Sequence, residues 1–152
     1  MIEPYPLSRR SVLVQVAASF AFLATRPAFA EADETAQAIR EFTGGAKITP
    51  GKVSIEVAPL VENGNSVALA VAVESPMTVD HHVKTIALFN EKNPQPQIAR
   101  FHLSPRSGTS RVETRIRLAT TQHITAIAQL SDGSFWSQEV EVIVTIAACT
   151  EE

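Results

Sequence analysis

The sequence predicts an all-β protein, an immunoglobulin-like antiparallel β-sandwich with a short N-terminal helix. From residue 53 onward, apolar residues alternate with polar ones at the two-residue period of a half-buried strand. About seven such runs follow one another, and turn residues separate them at roughly the spacing of a sandwich. Only one segment, ahead of these runs, follows the helical period instead.

The first 30 residues predict an export signal that is not part of the folded domain. Arg9 and Arg10 precede an uncharged apolar run over residues 12–24, and the small-residue pattern Ala28-Phe29-Ala30 follows. The run is too short to span a membrane. The arginine pair favours the twin-arginine route to the periplasm, and an ordinary secretory signal with two basic residues is the alternative. We therefore assign 1–30 to the signal, 31–146 to the sandwich and 147–152 to a C-terminal arm.

Cleavage after Ala30 would leave a mildly acidic domain. The removed segment contains three arginines and one glutamate, so ten Lys and Arg remain against fifteen Asp and Glu, a formal charge of −5. This charge argues against nucleic acid and anionic membranes as partners. The destination permits disulfides, but a single cysteine cannot form an internal one.

The predicted helix lies in the sequence DETAQAIREFTGG. Ala36, Ile39 and Phe42, with Ala38, form a narrow apolar stripe. Acidic residues suit the positive end of the helix dipole at its start, and Gly44-Gly45 ends it. Such a short helix is expected to pack against one end or edge of the sandwich.

The predicted strands follow in order. Val53, Ile55 and Val57 alternate in the first, and Asn63-Gly64 then predicts a two-residue hairpin turn. The run VALAVAV has valines and leucine on one face and alanines on the other. Four further runs, HVKTIALFN, IARFHLS, SRVETRIRLA and HITAIAQLS, are separated by Pro, Gly and Asp-Gly turns. The last, SQEVEVIVTIA, places Val140, Val142, Val144 and Ile146 opposite Glu139 and Glu141.

The four histidines do not predict a catalytic or metal site. His81 and His82 are adjacent, so on a strand they would point to opposite faces, while His102 and His123 lie among strand residues. The sequence contains no His or Cys spacing typical of a metal site. We expect no metal, and an independent enzyme is disfavoured because no nucleophile with a base and an orienting group can be assembled.

Two further features each have a structural and a functional interpretation. Arg111, Arg115 and Arg117 alternate with apolar residues, either as the solvated face of a strand or as a cationic edge for an anion or an acidic partner. Phe135 and Trp136 are adjacent and are not expected to face the core together. One of them is therefore a candidate for a partner interface.

The only cysteine, Cys149, lies just past the last predicted strand, three residues after Ile146. A thiol there cannot contribute to the core, and in an oxidising compartment it favours random dimerisation. Three extended residues beyond Ile146 reach roughly 10 Å. An incidental tail thiol is one interpretation. The other, which we favour, is a thiol presented on a short arm to another protein.

The chain resembles the SoxY family over nearly its whole mature length, and ENGN, LFNEKNPQP and LSDGSFW are the most specific stretches. SoxY is the sulfur-carrier subunit of the periplasmic thiosulfate-oxidising Sox system. The resemblance implies an immunoglobulin-like sandwich, a heterodimer with a SoxZ subunit, and a cysteine on a C-terminal arm that carries covalent sulfur intermediates. It implies no catalysis by the chain itself and no cofactor beyond the sulfur carried on the cysteine. Implied further partners are a c-type cytochrome complex, a metallohydrolase and a sulfane dehydrogenase, and Cys149 matches the carrier cysteine.

The arm departs from the family's tail, which reads Gly-Gly-Cys-Gly-Gly. Here Ala147 and Ala148 precede Cys149, and Thr150 with two glutamates follows it. Alanine stiffens the arm relative to glycine, and the residues after Cys149 add bulk and negative charge. The charge disfavours the thiolate and repels thiosulfate, modestly because it is solvated. The second hypothesis is therefore a SoxY-like subunit that pairs with a SoxZ-like protein but carries nothing.

Overall fold

The computed structural model describes the backbone of residues 30–146 and the side chains from residue 34 onward. One helix, α1 (Ala30–Thr43), precedes nine strands in this range. They are β1 (Ile48–Pro50), β2 (Val53–Val57), β3 (Leu60–Asn63), β4 (Val67–Val73), β5 (Val83–Asn90), β6 (Gln97–His102), β7 (Arg111–Ile116), β8 (Gln122–Leu130) and β9 (Phe135–Ile146). A 3-10 turn, Pro105–Ser107, lies between β6 and β7. No helix in the described part of the chain is long and apolar enough to cross a membrane.

The strands form two sheets, which confirms the predicted sandwich. The larger sheet has the order β1-β9-β8-β5-β6, and β3 also pairs with β9. The smaller sheet has the order β2-β4-β7. Neighbouring strands are antiparallel except for β1 and β3, which both run parallel to β9. The two short parallel pairs, and two strands beyond the expected seven, are the differences from the predicted architecture.

The main core lies between the sheets, where the period-two patterns place their apolar faces. In β4, Val67, Leu69, Val71 and Val73 are buried in it, and the alanines face outward as predicted. Burying an aliphatic side chain of this size contributes about 1.5–3 kcal/mol. The largest side chains that are fully buried in this core are Val71, Val83, Ile86, Leu88, Leu118, Ile124 and Val142.

A second, smaller core lies on the other face of the larger sheet, beneath α1. The Phe42 ring centroid is 5.9 Å from that of Phe89 and 5.7 Å from that of Phe135. Ala38 and Ile39 pack against the same cluster, so the predicted apolar stripe is confirmed. Residues 31–146 therefore form three layers, with the larger sheet in the middle.

The helix ends where the sequence predicts. Gly44 and Gly45 have φ values of +63° and +78°, which glycine adopts without steric cost. The Gly45 N–H donates to the Arg40 carbonyl at 3.1 Å, satisfying a carbonyl of the last helical turn.

Phe135 and Trp136 both pack against a core, because the larger sheet is packed on both faces. Phe135 is 5% exposed beneath α1. Trp136 faces the other way, packs against the main core, and has the Lys52 Nζ 4.2 Å from its ring centroid. Its indole Nε1–H donates to the Ser134 Oγ at 3.0 Å. The expectation that one of the two faces away from a core is therefore wrong, while a contact of the half-buried Trp136 with a partner stays a prediction.

The hairpin predicted at Asn63-Gly64 is also wrong. β3 pairs with β9 in the larger sheet, whereas β4 lies in the smaller one, so the turn carries the chain between sheets. A two-residue type I′ turn needs positive φ at both positions, and neither residue has it. Contacts of the Gly64 backbone fix the turn instead. Its N–H donates to the Ile146 carbonyl at 3.0 Å, and its carbonyl accepts from the Leu118 N–H at 2.9 Å.

Candidate functional site

The candidate carrier residues lie at the edge of what the structure describes. Cys149 and its neighbours Ala147, Ala148 and Thr150 lie outside the described residues, which end at Ile146. The structure does describe the segment from which they continue. We call residues 143–146, the last four of β9, the arm root.

The arm root is held from both sides. Pairing of β9 with β8 ends at Val142, and from there β3 pairs with the arm root in parallel register. On the opposite side, the Thr121 side chain replaces a strand neighbour. Its Oγ1 accepts the Val144 N–H at 3.0 Å and lies 3.5 Å from the Val144 carbonyl oxygen. The Thr121 hydroxyl therefore continues the hydrogen-bond ladder beyond Gln122, the first residue of β8.

Hydrogen bonds to the β3 side continue to the last described residue. The Ile143 N–H donates to the Pro59 carbonyl at 2.9 Å, and the Thr145 Oγ1 donates to the Glu62 carbonyl at 3.2 Å. The Ile146 carbonyl accepts the Gly64 N–H, as above. The core ends earlier, because Val142 is fully buried whereas Ile146 is 64% exposed. The arm therefore starts from a strand that is hydrogen-bonded but already outside the core.

A buried polar network fixes the loops beside the arm root. Gln122, the register partner of Val142, is 2% exposed. Its Nε2 donates to the Asn93 Oδ1 at 2.9 Å, and its Oε1 accepts the Lys92 N–H at 2.9 Å. The Asn93 Nδ2 donates to the Arg117 carbonyl at 2.8 Å. The network thus ties the loop after β5 to the segment between β7 and β8.

Sequence reasoning missed these positioning residues, although a signal was present. In β8, Gln122 is in phase with the inward positions Ile124 and Ala126. A buried amide at a position that is otherwise apolar requires hydrogen-bond partners. The stretch LFNEKNPQP supplies two of them, the Asn93 side chain and the Lys92 backbone N–H.

Two of the three stretches that carry the family resemblance therefore lie at this end of the sandwich. ENGN contains Gly64, and LFNEKNPQP contains Asn93. The third, LSDGSFW, lies at the other end of β9. There the Asp132 carboxylate accepts the Ser134 hydroxyl at 2.7 Å and its N–H at 2.9 Å. These bonds lower the pKa of Asp132.

The arginines of β7 have different surroundings. Arg111 makes a bidentate pair with Glu56, with 2.9 Å between Nη2 and Oε2, and its Nε donates to the Glu113 Oε1 at 3.0 Å. The hydrogen bonds from Arg111 lower the pKa of Glu56 and raise that of Arg111 itself. Arg115 and Arg117 are exposed, and no described carboxylate oxygen lies within 4.0 Å of either guanidinium.

The histidines are dispersed. His81 and His82 lie in the loop before β5 and not on a strand, while the His102 Nδ1 lies 3.4 Å from the Thr85 Oγ1. The His123 Nδ1 is 3.0 Å from the Glu91 Oε2, and this hydrogen bond is the main cause of a raised His123 pKa. Within the part of the chain that the structure describes, no three His, Cys, Asp or Glu side chains are grouped to hold a metal ion.

Comparisons with known proteins agree with this architecture. The family profile described as "Sulfur oxidation protein SoxY" matches residues 39–149, from α1 to the position of Cys149. The solved structure of the sulfur carrier protein SoxY from Chlorobium limicola f thiosulfatophilum is similar, at 26% identity and a TM-score of 0.62. That likeness covers 76% of this chain and 99% of that one. No curated protein sequence matches.

Two superoxide reductases share the fold alone. The enzyme from Ignicoccus hospitalis, a neelaredoxin, has 20% identity and a TM-score of 0.55 over 62% of this chain and 80% of that one. The enzyme from Nanoarchaeum equitans has 16% identity and a TM-score of 0.52 over 63% and 100%. The family match, in contrast, extends over most of the sequence, and the chain belongs to the SoxY family.

Proposed function

We propose that this chain carries sulfur covalently on Cys149 during thiosulfate oxidation and presents it to partner enzymes. Membership of the SoxY family makes it a sulfur-oxidation carrier protein. The assignment of that role to Cys149 is the proposal. The arm root is the observation that supports it. β9 is hydrogen-bonded up to Ile146, and the chain's only cysteine follows three residues later.

This arrangement suits a carrier because the arm root is held by hydrogen bonds and only a short arm follows it. Up to Ile146 the backbone is held by β3 and Thr121. Beyond it, three residues reach roughly 10 Å when extended, enough to carry a thiol beyond the sandwich surface. The chain itself need supply no base or metal, since each partner would bring its own chemistry to the thiol. We propose no catalytic role and no cofactor beyond the sulfur adduct on Cys149.

The loading step follows from the chemistry of a thiol and thiosulfate. A sulfur–sulfur bond forms between the Cys149 Sγ and the outer sulfur of thiosulfate, the thiol loses one proton, and two electrons leave. We propose a c-type cytochrome complex as their acceptor. Water then cleaves the bond to the sulfonate group in a partner hydrolase, which releases sulfate and one proton and leaves a persulfide. A sulfane dehydrogenase would oxidise the remaining sulfur.

We further propose that the chain is exported to the periplasm by the twin-arginine route and pairs there with a SoxZ-like subunit. Residues 1–30 support the export proposal, because they combine an arginine pair, a short apolar run and a small-residue cleavage pattern. The resemblance to SoxY supports the heterodimer. The acidic charge of residues 31–152 supports a protein partner over nucleic acid or a membrane.

Mass spectrometry of the protein isolated from cells that oxidise thiosulfate tests the carrier role. We expect Cys149 to bear thiosulfonate or sulfane adducts that a reductant removes. Protein from the same cells grown without reduced sulfur is the control. The proposal would be contradicted if Cys149 were found only unmodified or uniformly glutathionylated.

The non-carrying subunit is the second candidate, and the tail favours it, because Ala147, Ala148 and Thr150 occupy positions that are glycine in the family's tail. The substitution Cys149→Ser separates the two functions. A carrier loses thiosulfate oxidation while still assembling with its partner. A non-carrying subunit keeps both, which complex purification and an oxidation assay would show together.

A further inference from the structure

The outer face of the smaller sheet forms a shallow groove with an alanine floor. Ala68 and Ala70 of β4 face outward between charged neighbours on β2 and β7, since their register partners are Arg115, Glu113 and Glu56. Two adjoining depressions, of about 520 and 490 Å³, both contact Glu56, Ala68 and Arg115. Small side chains along the floor leave room for another chain segment between charged walls.

The charges along this groove are unevenly paired. Arg111 binds both Glu56 and Glu113, so these carboxylates are already engaged. Arg115 contacts only a neutral group, the Ser66 Oγ, at 3.3 Å from its Nη1. Of the carboxylates within the described residues, only Glu62 lines the groove unpaired, and it lies beyond 4.0 Å from Arg115. Arg115 is therefore available to an additional carboxylate.

Arg117 lies directly beside the arm root. The Ile146 carbonyl is bonded to Gly64, and the Gly64 carbonyl is bonded to Leu118, the residue after Arg117. Only one residue, Gly64, therefore separates the peptide group between Arg117 and Leu118 from the Ile146 carbonyl. Arg117 is also exposed and outward in phase with Arg115.

Arg115 is close to the arm root by a similar path. Ser66, which contacts it, lies two residues after Gly64, the residue bonded to Ile146. That path amounts to about 13 Å, since two residues extend about 7 Å and two hydrogen-bond contacts, of 3.3 and 3.0 Å, complete it. Residues 147–152 extend up to about 20 Å, so they can reach both arginines.

We propose that Arg115 and Arg117 form a carboxylate-binding site that takes this chain's own acidic tail, Glu151 and Glu152. These glutamates lie five and six residues past Ile146, a distance that spans the path to either arginine. Cys149 then lies between two fixed points, the arm root and the arginine pair. The site holds the thiol against the sandwich until salt or an acidic partner surface displaces the tail.

The docked state is a population and not a permanent lock. Solvent-exposed ion pairs each favour association by about two- to fivefold, and salt screens them within a Debye length of about 10 Å at 0.1 M. The short tether raises the effective concentration of the glutamates to the millimolar range, which allows weak pairs to form. Docking is therefore expected at low salt and release at high salt.

The single cysteine provides the test, because a neutral nitroxide label attaches to Cys149 without further mutation. Paramagnetic broadening of backbone amide signals by NMR then reports where the arm lies. At low salt we expect broadening at Ser66, Ala68 and Arg115 that falls about two- to fivefold at high salt. The double substitution Glu151→Gln/Glu152→Gln should cause the same fall, and so should Arg115→Gln/Arg117→Gln.

Matched variants distinguish docking from chance proximity. Arg106→Gln, in the 3-10 turn, removes the same type of exposed charge and should leave the broadening unchanged. Combining the two double substitutions should cause no further fall, because both remove one interaction. Broadening that does not change with salt or with any of the charge substitutions overturns the proposal. A combined variant whose fall in broadening equals the sum of the falls in the two double variants also overturns it. This readout does not require sulfur on Cys149, so its failure is distinct from failure of the carrier role.

Discussion

The ion pairs of the smaller sheet show how strand register decides which residues meet. Glu56 on β2 is in register with Ala70, and Arg111 on β7 with Ala72, so the two are separated by a strand of small residues. Because β4 carries alanines on this face, the guanidinium reaches across it to Glu56. A larger residue at position 70 or 72 would block that path.

The substitution Arg111→Gln is expected to raise the pKa of Glu56 towards its ordinary value. The hydrogen bonds from Arg111 are the largest cause of the lowered pKa, and the charge of Arg111 acts in the same direction. NMR titration of the Glu56 carboxyl carbon measures the shift. Arg115→Gln is the matched control, because it removes a neighbouring charge that makes no ion pair with Glu56. An unchanged Glu56 pKa in Arg111→Gln would contradict the assignment.

His123 is expected to make stability depend on pH near neutrality. Its bond with Glu91 raises the folded-state pKa above the unfolded value of about 6.5. The stabilisation is therefore fully present below that unfolded value, while Glu91 stays ionised, and is lost as pH rises through the folded pKa. We expect Glu91→Gln to be less stable than the parent at mildly acidic pH and equally stable well above neutrality.

Urea unfolding at a series of pH values measures this difference. Glu139→Gln is the control, because Glu139 raises the His123 pKa only through its charge and ranks below Glu91 among the causes. It should shift the stability curve less than Glu91→Gln. Equal effects of the two substitutions, or a difference that grows above neutral pH, would contradict the role of the Glu91 bond.

At the scale of elements, β9 changes neighbours along its length. It pairs with β1 at its start, with β8 from Phe135 to Val142, and with β3 at its end. The end of β9 has the fewest hydrogen bonds on its β8 side, since one threonine side chain replaces the β8 ladder beside Val144. The rigidity of the arm root therefore depends on a small number of bonds.

The substitution Thr121→Val is expected to loosen the arm root without unfolding the sandwich. It removes one hydrogen bond worth about 1 kcal/mol and leaves the Val144 N–H without its partner. Hydrogen exchange of the Val144 amide should accelerate about fivefold, while Ile124 in the core of β8 keeps its protection. Thr121→Ser retains the hydroxyl and should exchange like the parent. Equal acceleration in both variants would show that the hydroxyl does not hold the strand.

At the scale of the whole molecule, the sequence predicted which face of each strand is buried better than it predicted which strands pair with one another. Alternation identifies a buried face because a sandwich removes one side of each strand from water, as in β4. The Asn63-Gly64 turn was misassigned because the choice between pairing and crossing to another sheet depends on long-range contacts. The expectation that Phe135 and Trp136 could not both pack against a core was wrong because a third layer, α1, covers the opposite face of their sheet and accommodates Phe135. Period alone does not reveal a third layer.

The candidate site was only partly predictable for a similar reason. The position of Cys149 beyond the last strand follows from the sequence. The bonds that fix the arm root come largely from the backbones of Pro59, Glu62 and Gly64. Every residue has the same backbone groups, so the sequence does not show which of them hold the arm root. These residues are far apart in sequence, and only the fold brings them together.

A single thiol beyond a fixed strand end predicts one more property of the whole chain. With no second cysteine, the chain cannot form an internal disulfide, and the only disulfide it forms with itself joins two copies through Cys149. Mild oxidation should therefore convert the purified protein to a covalent dimer that a reductant reverses, as seen by non-reducing electrophoresis. Cys149→Ser should remain monomeric in the same gel. A parent protein that stays monomeric after oxidation would mean that Cys149 is inaccessible, which contradicts both an arm and a carrier.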